Sequence, residues 1–291
     1  MFNIIELYSL YLYQRLLCQT FQLSIGRPVT LDVNAPIEGK GIQSIDVGFR
    51  LIDALLEADG PMPLKDLSAA ADMSPSKAHN YIVSFRRVRM MAQDSETGHY
   101  MLGPAALELG LVYLARRGGL NVAERAILLI RERGKLSSGL FVSIWSEKGP
   151  VIVVRDEGVS GVPYDLRVGH HSSPLYTATG RTFLAYLPRS VTAPVVAAAE
   201  GDTVSPWGGR ARVLSEKELE AELAKIRRDG IAVVNDLRIP GMTGITAPVL
   251  DHRGGLDAVI TMIGVSGSFD TRADGIVATE LRDAIAKARQ G

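Results

Sequence analysis

The chain has 291 residues, 46% of them apolar, and its 32 basic and 32 acidic residues balance to a formal net charge of zero. That length fits about two domains at roughly 100–200 residues each, and the apolar share excludes global disorder. Neutrality excludes a general nucleic-acid coat protein but not a reader that needs only a local basic patch, while the single cysteine, Cys18, excludes a disulfide framework or thiolate zinc cage and fits a reducing cytoplasm.

Residues 1–25 are rich in Leu, Tyr and Ile but lack the basic leader and small-residue cleavage site of a signal peptide. Glu6, Gln14 and Arg15 interrupt any membrane-length apolar run. A surface helix, a misassigned upstream start codon, and a membrane-surface or dimer-contact helix stay open as readings. Pro28, Pro36, Gly39 and Gly41 mark a linker over 27–41.

Ser44 is placed to cap a predicted helix over 45–57, with Ile45, Phe49, Ile52 and Leu56 sharing a face. Asp59-Gly60-Pro61 ends it, and Leu64, Leu67 and Ala71 pattern a second, shorter helix. Asp72-Met73-Ser74-Pro75 reads as a tight turn into a third helix, Ser74 as its N-cap and Pro75 at its first position. Ala78, Ile82 and Phe85, with Tyr81 beside them, supply a buried face. Asp94 to Gly98 is a turn-rich tip between two short apolar runs, which signals a β-hairpin. Three helices followed by a hairpin make a winged helix-turn-helix.

Residues 105–117 form a predicted helix with Leu107, Leu111 and Leu114 in a stripe, long enough to link domains or pair with a second chain. A helix near 122–136 precedes predicted strands at 140–146, 151–156 and 164–168, then helices at 177–187 and 192–200. Ser215 to Glu218 is a capping box opening a helix that runs to Arg228 and is closed by Gly230. Strands at 231–235, 244–251 and 256–263 and a final helix over 274–289 complete an α+β pattern.

The third helix carries the clearest chemistry. From Met73 to Gln93 no acidic residue occurs. Lys77 and Asn80 are three apart and project together; an amide can pair bidentately with adenine, and a lysine reaches guanine or phosphate. Ser76, His79 and Ser84 complete the polar set on the helix. Arg86, Arg87 and Arg89, near its end, suit backbone phosphates. His99, on the presumed wing, is either a phosphate contact or an ordinary exposed histidine.

Other constellations carry less. Ser74-x-x-Lys77 matches the serine–lysine acylase motif, but the Ser-Asp-Asn and Lys-Thr-Gly elements are missing. His170-His171 is a poor bidentate metal site because neighbours on an extended segment point apart, and Asp165 and His252 follow no zinc spacing. One histidine of the pair lining an anion pocket is the better reading. No dinucleotide fingerprint, Walker lysine, Ser/His/Asp set or carboxylate pair occurs, so neither catalytic residues, a cofactor nor a metal is expected.

In this order and spacing the segments Ile45 to Ile52, Ser76 to Tyr81, His99 to Gly103, Leu166 to Gly169, Ala178 to Ala185, Gly241 to Pro248 and Asp251 to Gly254 resemble the IclR-type (isocitrate lyase regulator) transcription factors over about residues 42–290. The resemblance implies an extension and linker at 1–41, a winged helix-turn-helix at 42–103, a linker helix at 104–118 and a GAF-like effector-binding domain at 119–291. It further implies a homodimer or homotetramer on palindromic operator DNA, acting as repressor or activator under a small-molecule effector. Carried over by motif, the effector positions are Ala178, Thr179, Gly244, Thr261 and Ile263, with Asp236 on the approach.

Four departures stand out. Gly244 replaces a common cysteine, Ile263 replaces a hydroxyl-bearing residue, Asn80 stands for a frequent arginine, and Arg89 for a glycine that bears on where the reading helix ends. A pocket keeping Thr179 and Thr261 but gaining Ile263 and a small Gly244 favours a bulkier, partly apolar ligand. An aromatic or hydroxy-aromatic acid is expected over a two- or three-carbon oxoacid, with Arg167 or a histidine of the pair as its cation. The alternatives are a sensing module that has lost DNA binding, kept alive by Asn80 and Arg89, and an enzyme built on the C-terminal domain.

Overall fold

The computed structural model describes residues 39–134, 136, 138–158, 166–199, 201, 203–204, 208–209, 212–236 and 239–290. The expected N-terminal segment 1–25 and most of the linker lie outside the described residues.

Helices α1 (Gln43–Glu57), α2 (Leu64–Ala70) and α3 (Pro75–Arg87) precede a two-stranded wing, β1 (Met91–Gln93) antiparallel to β2 (Tyr100–Leu102). The expected face of α1 needs correction. Gly48, Leu51, Ile52 and Leu55 are buried, whereas Ile45, Phe49 and Leu56 are 54%, 45% and 59% exposed. Gly48 decides the matter, because α3 packs where its side chain would be. A Cβ there would meet Tyr81 Cδ1 at 3.0 Å and Phe85 Cζ at 3.3 Å. Ile42, not Ser44, is the N-cap, so Ser44 lies inside the helix. Leu51, Leu67, Ile82, Met91 and Tyr100 then close one small core, and the Met62–Tyr100 bridge ties the wing to the helices.

Helix α3 ends at Arg87, with Val88 as C-cap and Arg89 left-handed at φ 61°. That conformation costs an arginine what it would not cost a glycine. Gly103 lies against the same turn, where a Cβ would sit 2.3 Å from the Arg89 carbonyl oxygen.

Helix α4 (Pro104–Ala115) buries none of its residues. The expected Leu107/Leu111/Leu114 stripe is replaced by a helix that is apolar all round: Leu107, Leu109, Leu111, Val112 and Tyr113 are all exposed, and Leu114 alone reaches the C-terminal core. Helix α5 (Gly118–Arg133) follows almost at once, starting four residues before the expected helix and stopping at the left-handed Gly134, φ 63°.

The C-terminal half is a five-stranded antiparallel sheet in the order β4-β3-β7-β6-β5. Its strands are β3 (Gly139–Ser146), β4 (Gly149–Asp156), β5 (Ala232–Asn235), β6 (Met242–Leu250) and β7 (Leu256–Val265). Helices α5 and α9 (Ile276–Gln290) cover one face, burying Ile130, Leu140, Ile260 and Leu281. Helices α6 (Ala178–Tyr186), α7 (Arg189–Ala199) and α8 (Glu216–Asp229) complete the unit, and α6 and α8 share a core with β5. The expected capping box is present on α8, with Ser215 and Glu218 bonded reciprocally and Gly230 left-handed at its end. The expected strand over 164–168 is not seen: residues 166–168 are irregular, and 164–165 lie outside the described residues. Instead His171 bridges Val151 at the free edge of β4.

The start of α6 is set by close backbone contact. Thr177 caps it, accepting a hydrogen bond from Gly180 N at 2.9 Å. A Cβ on Gly180 would lie 2.2 Å from Ser173 O and 2.5 Å from Pro174 Cα, so only glycine lets the 173–177 turn lie on the helix. Arg181, buried, donates to Leu175 O at 2.9 Å and ion-pairs with Glu222, pinning that turn from the other side.

Candidate DNA-reading face and ligand cavity

On α3 the Ser74 hydroxyl accepts from Lys77 N at 3.4 Å, and Ala78 and Ile82 point into the core. That rotation leaves Ser76, Lys77, His79, Asn80, Ser84, Arg86 and Arg87 exposed. Lys77, Arg86 and Arg87 pair with no carboxylate among the described residues. Their charge is therefore uncommitted on a face with no acid on its own helix. The Ser84 hydroxyl turns back to Asn80 O at 3.2 Å, which occupies its donor. Arg89 lies beyond the helix, and both its terminal nitrogens reach Glu108 of α4 at 3.4 Å.

The wing is electrostatically mixed. Asp94 accepts from Thr97 N at 2.7 Å, Thr97 Oγ1 at 2.9 Å and Glu96 N at 2.9 Å. The Thr97 backbone bond, first among these, holds its carboxyl below the usual range, so the tip stays anionic. His99, half-buried just ahead of β2, is the tip's one cationic candidate.

The second site is a cavity of about 120 Å³ on the other side of the sheet from α5 and α9. Its floor comes from Phe141 on β3, Thr261 and Ile263 on β7, and Met242 and Gly244 on β6. The register explains their convergence: Phe141 and Thr246 both lie opposite Thr261, and Gly244 lies opposite Ile263, so one face collects them. A Cβ on Gly244 would stand only 3.7 Å from that of Ala178, so its absence keeps the floor open. The wall is the segment from His170 to the start of α6, including Ser172, Tyr176 and Thr177.

Ala178, Thr179, Gly244, Thr261 and Ile263 all line this cavity. Thr179 and Thr261 are buried and bonded to each other, Oγ1 to Oγ1, at 2.9 Å; one turn on, Thr182 and Thr246 repeat the contact at 2.6 Å. These hydroxyls hold helix to sheet. Asp236 does not line the cavity. It is exposed at φ 54° and accepts from Gly241 N at 2.7 Å and Ser266 Oγ at 2.9 Å. It thereby shapes the turn that carries Ile239 and Met242, which do line it.

Among the described residues no lysine, arginine, aspartate or glutamate lines the cavity, and the titratable groups there are His170, His171 and Tyr176. Of the two expected anion partners, Arg167 is exposed and lies outside the lining, whereas both residues of the histidine pair belong to it. His171 is exposed at the edge of β4; partial burial, and after it the Lys148 ammonium, lowers its imidazole from the ordinary value. The amides of Ala178 and Thr179, in the first turn of α6, have no intrahelical acceptor. A carboxylate at that end would gain hydrogen bonds and the favourable end of the helix dipole. Among the described residues no three His, Cys, Asp or Glu are grouped to hold a metal, and no helix is long and apolar enough to cross a membrane.

A model of the C-terminal domain of IclR bacterial transcriptional regulators matches residues 135–289, and one of the IclR helix-turn-helix domain matches residues 44–95. The HTH-type transcriptional regulator BhcR of Paracoccus denitrificans is 25% identical over 244 residues, spanning 77% of this chain and 78% of that protein. The crystal structure of Pseudomonas aeruginosa HmgR is 27% identical, covering 85% of this chain and 96% of its own at a TM-score of 0.52. An IclR homolog from Microbacterium hydrocarbonoxydans, crystallised with 4-hydroxybenzoate, shares the fold at a TM-score of 0.68 and 16% identity over 84% of this chain and 97% of its own.

The threonine pair yields a stability test. Thr179→Val strands a buried Thr261 hydroxyl and is expected to cost about 1–3 kcal/mol in urea unfolding. Thr179→Val with Thr261→Val removes both polar groups, and its loss should fall short of the summed singles. Strict additivity would mean that the two hydroxyls do not depend on each other.

Proposed function

The chain belongs to the IclR family of bacterial transcriptional regulators, and we propose that α3 reads its operator while the cavity beneath α6 takes the controlling organic acid. The observation that carries this reading is the pairing of an uncommitted cationic helix face with a separate cavity whose described lining is mostly apolar. Lys77 and Asn80 face base edges, Ser76 and His79 flank them, and Arg86 and Arg87 hold backbone phosphates. Ser84 and Arg89 contribute less, their donors being occupied, and His99 contacts phosphate from the wing. Residues 42–103 form the DNA-reading domain, 104–118 the connecting helix and 119–291 the effector domain.

The cavity's about 120 Å³ is close to the roughly 150 Å³ that admits a benzene ring in an engineered core. Phe141, Ile263 and Met242 give that space apolar walls, and the α6 amides give it an anion end. A monocyclic aromatic acid fits both, and 4-hydroxybenzoate in a protein of the same fold supports the choice. Control requires the acid to favour one arrangement of the domains over the other.

A helix apolar all round is stable in water only when covered. Two copies pairing through α4 cover it and place two α3 helices on a palindrome about 34 Å apart. Sedimentation of the intact chain should show a dimer, and Leu111→Asp should shift it to monomer; an unchanged assembly would place the contact elsewhere.

Binding of DNA flanking the protein's own gene, measured by fluorescence anisotropy at two salt concentrations, tests the reading face. Asn80→Ala is expected to cost about 1–3 kcal/mol at the specific site and to relax specificity. Lys77→Ala should also weaken the complex, and Arg86→Ala should lower the salt slope by about one. Wild-type binding by all three variants would remove α3 from the groove.

A further inference from the structure

We infer that the Ser172 hydroxyl binds the carboxylate of the cavity's ligand, which makes Ser172 a residue that selects an aromatic acid over a neutral ring of similar size. This assignment rests on the effector reading above and adds a named contact to it. Ser172 is 8% exposed and lines the cavity. Among the described residues its hydroxyl has no hydrogen-bond partner; only its backbone N–H is engaged, donating to Pro150 O at 2.8 Å.

Pairing along the edge of β4 decides which way Ser172 faces. His171 bridges Val151 antiparallel, and residues opposite each other in such a pair project to the same face. Val151 packs, with Val153, on the core beneath α5 and α9, so His171 is turned away from the cavity face. Successive side chains alternate, which puts Ser172 on the other side. Ile152 occupies that side too, clustered with Phe141, Leu166 and Ile263 of the lining. The bond from Ser172 N to Pro150 O and that from Ile152 N to His170 O at 3.0 Å hold the segment in this register.

The other hydroxyls of the wall are engaged. Ser173 Oγ accepts from Tyr176 N at 3.3 Å, Thr177 Oγ1 donates to Ser173 O at 2.7 Å and accepts from Gly180 N at 2.9 Å, and Thr179 is bonded to Thr261. Tyr176 has an interaction of its own. A buried hydroxyl left unpaired destabilises a fold, so Ser172 is unfavourable where it stands unless something in the cavity accepts from it. Its place suits an anion. A Cβ on Gly180 would collide with Ser173 O and Pro174 Cα, so the chain just after Ser172 lies against the first turn of α6. The Ala178 and Thr179 amides of that turn have no acceptor among the described residues. A carboxylate has two oxygens and about four acceptor sites, enough to take the Ser172 hydroxyl together with those amides. Hydrogen bonds to an ionised acceptor are about twice as strong as neutral ones, so the acid gains at Ser172 what a neutral ring does not.

Calorimetric titration of the intact chain and of Ser172→Ala with 4-hydroxybenzoate and with 4-methylphenol, which keeps the ring and its hydroxyl but has a methyl for the carboxylate, tests this. Ser172→Ala should weaken the acid by about tenfold or more and leave the affinity for 4-methylphenol unchanged. Without ligand, the variant should unfold at a urea concentration no lower than the wild type, because the hydroxyl it removes has no partner; this separates a binding role from a folding one. Equal affinity of the acid for both proteins would overturn the assignment. So would a loss shared equally by the acid and 4-methylphenol, or a lower unfolding midpoint in the ligand-free variant. Failure of the acid to bind the wild type would overturn the effector reading itself, an outcome distinct from an acid that binds both proteins alike.

Discussion

The carboxylate of Asp257 holds the connecting helix to the sheet that floors the cavity. Its Oδ1 accepts from Arg117 Nε at 2.9 Å and from a terminal guanidinium nitrogen at 2.6 Å, and its Oδ2 accepts from Gly119 N at 2.6 Å. Arg117 also donates to the Tyr113 hydroxyl at 2.7 Å and lies 5.6 Å from the centre of that ring. The end of α4 and the first turn of α5 are thus fixed by one acid at the start of β7. Each such charge-assisted bond contributes about 1.5–3 kcal/mol when sheltered, and here both side chains are only about a fifth exposed, 21% and 18%. A Cβ on Gly119 would lie 2.6 Å from that carboxylate, so the joint also depends on an unsubstituted backbone. Four and six residues along the same strand stand Thr261 and Ile263. Strand β7 therefore carries both the joint to the connecting helix and the floor of the cavity.

The cavity itself is a product of missing atoms and mutual hydroxyl bonds. Gly180 lets the 173–177 turn lie against α6, Gly244 leaves the floor open, and two threonine pairs fasten the helix above it. The result is a neutral, ring-sized space whose polarity is concentrated at one wall.

Local chemistry made part of this architecture legible. Ser74 and Pro75 open α3, Ser215 and Glu218 open α8, and Gly230 closes it, because caps are read within one turn of chain. The face of α1 was not legible, since two apolar stripes overlap there. Only the packing of Tyr81 and Phe85 on Gly48 selects between them. The all-round apolarity of α4 is visible in its residues, because Leu109, Val112 and Tyr113 lie outside the expected Leu107/Leu111/Leu114 stripe and are exposed too. Of the cavity, the motif positions on α6, β6 and β7 were reachable by resemblance. Phe141, Leu166 and Tyr176 were not, because their convergence depends on strand register and on a turn with no periodic pattern; the small-residue run Ser172-Ser173 ahead of the Thr177 cap was the one available hint. Asp236, expected on the approach, is exposed and bonds to Gly241 N and Ser266 Oγ beside β6.

Operator affinity measured as a function of 4-hydroxybenzoate concentration, at fixed salt and pH, is the most direct test of the account. It should change saturably, with a midpoint equal to the acid's affinity for the cavity, and the response should vanish in Gly244→Leu, whose side chain enters that space. Operator binding indifferent to saturating acid, or a response undiminished in Gly244→Leu, would contradict it.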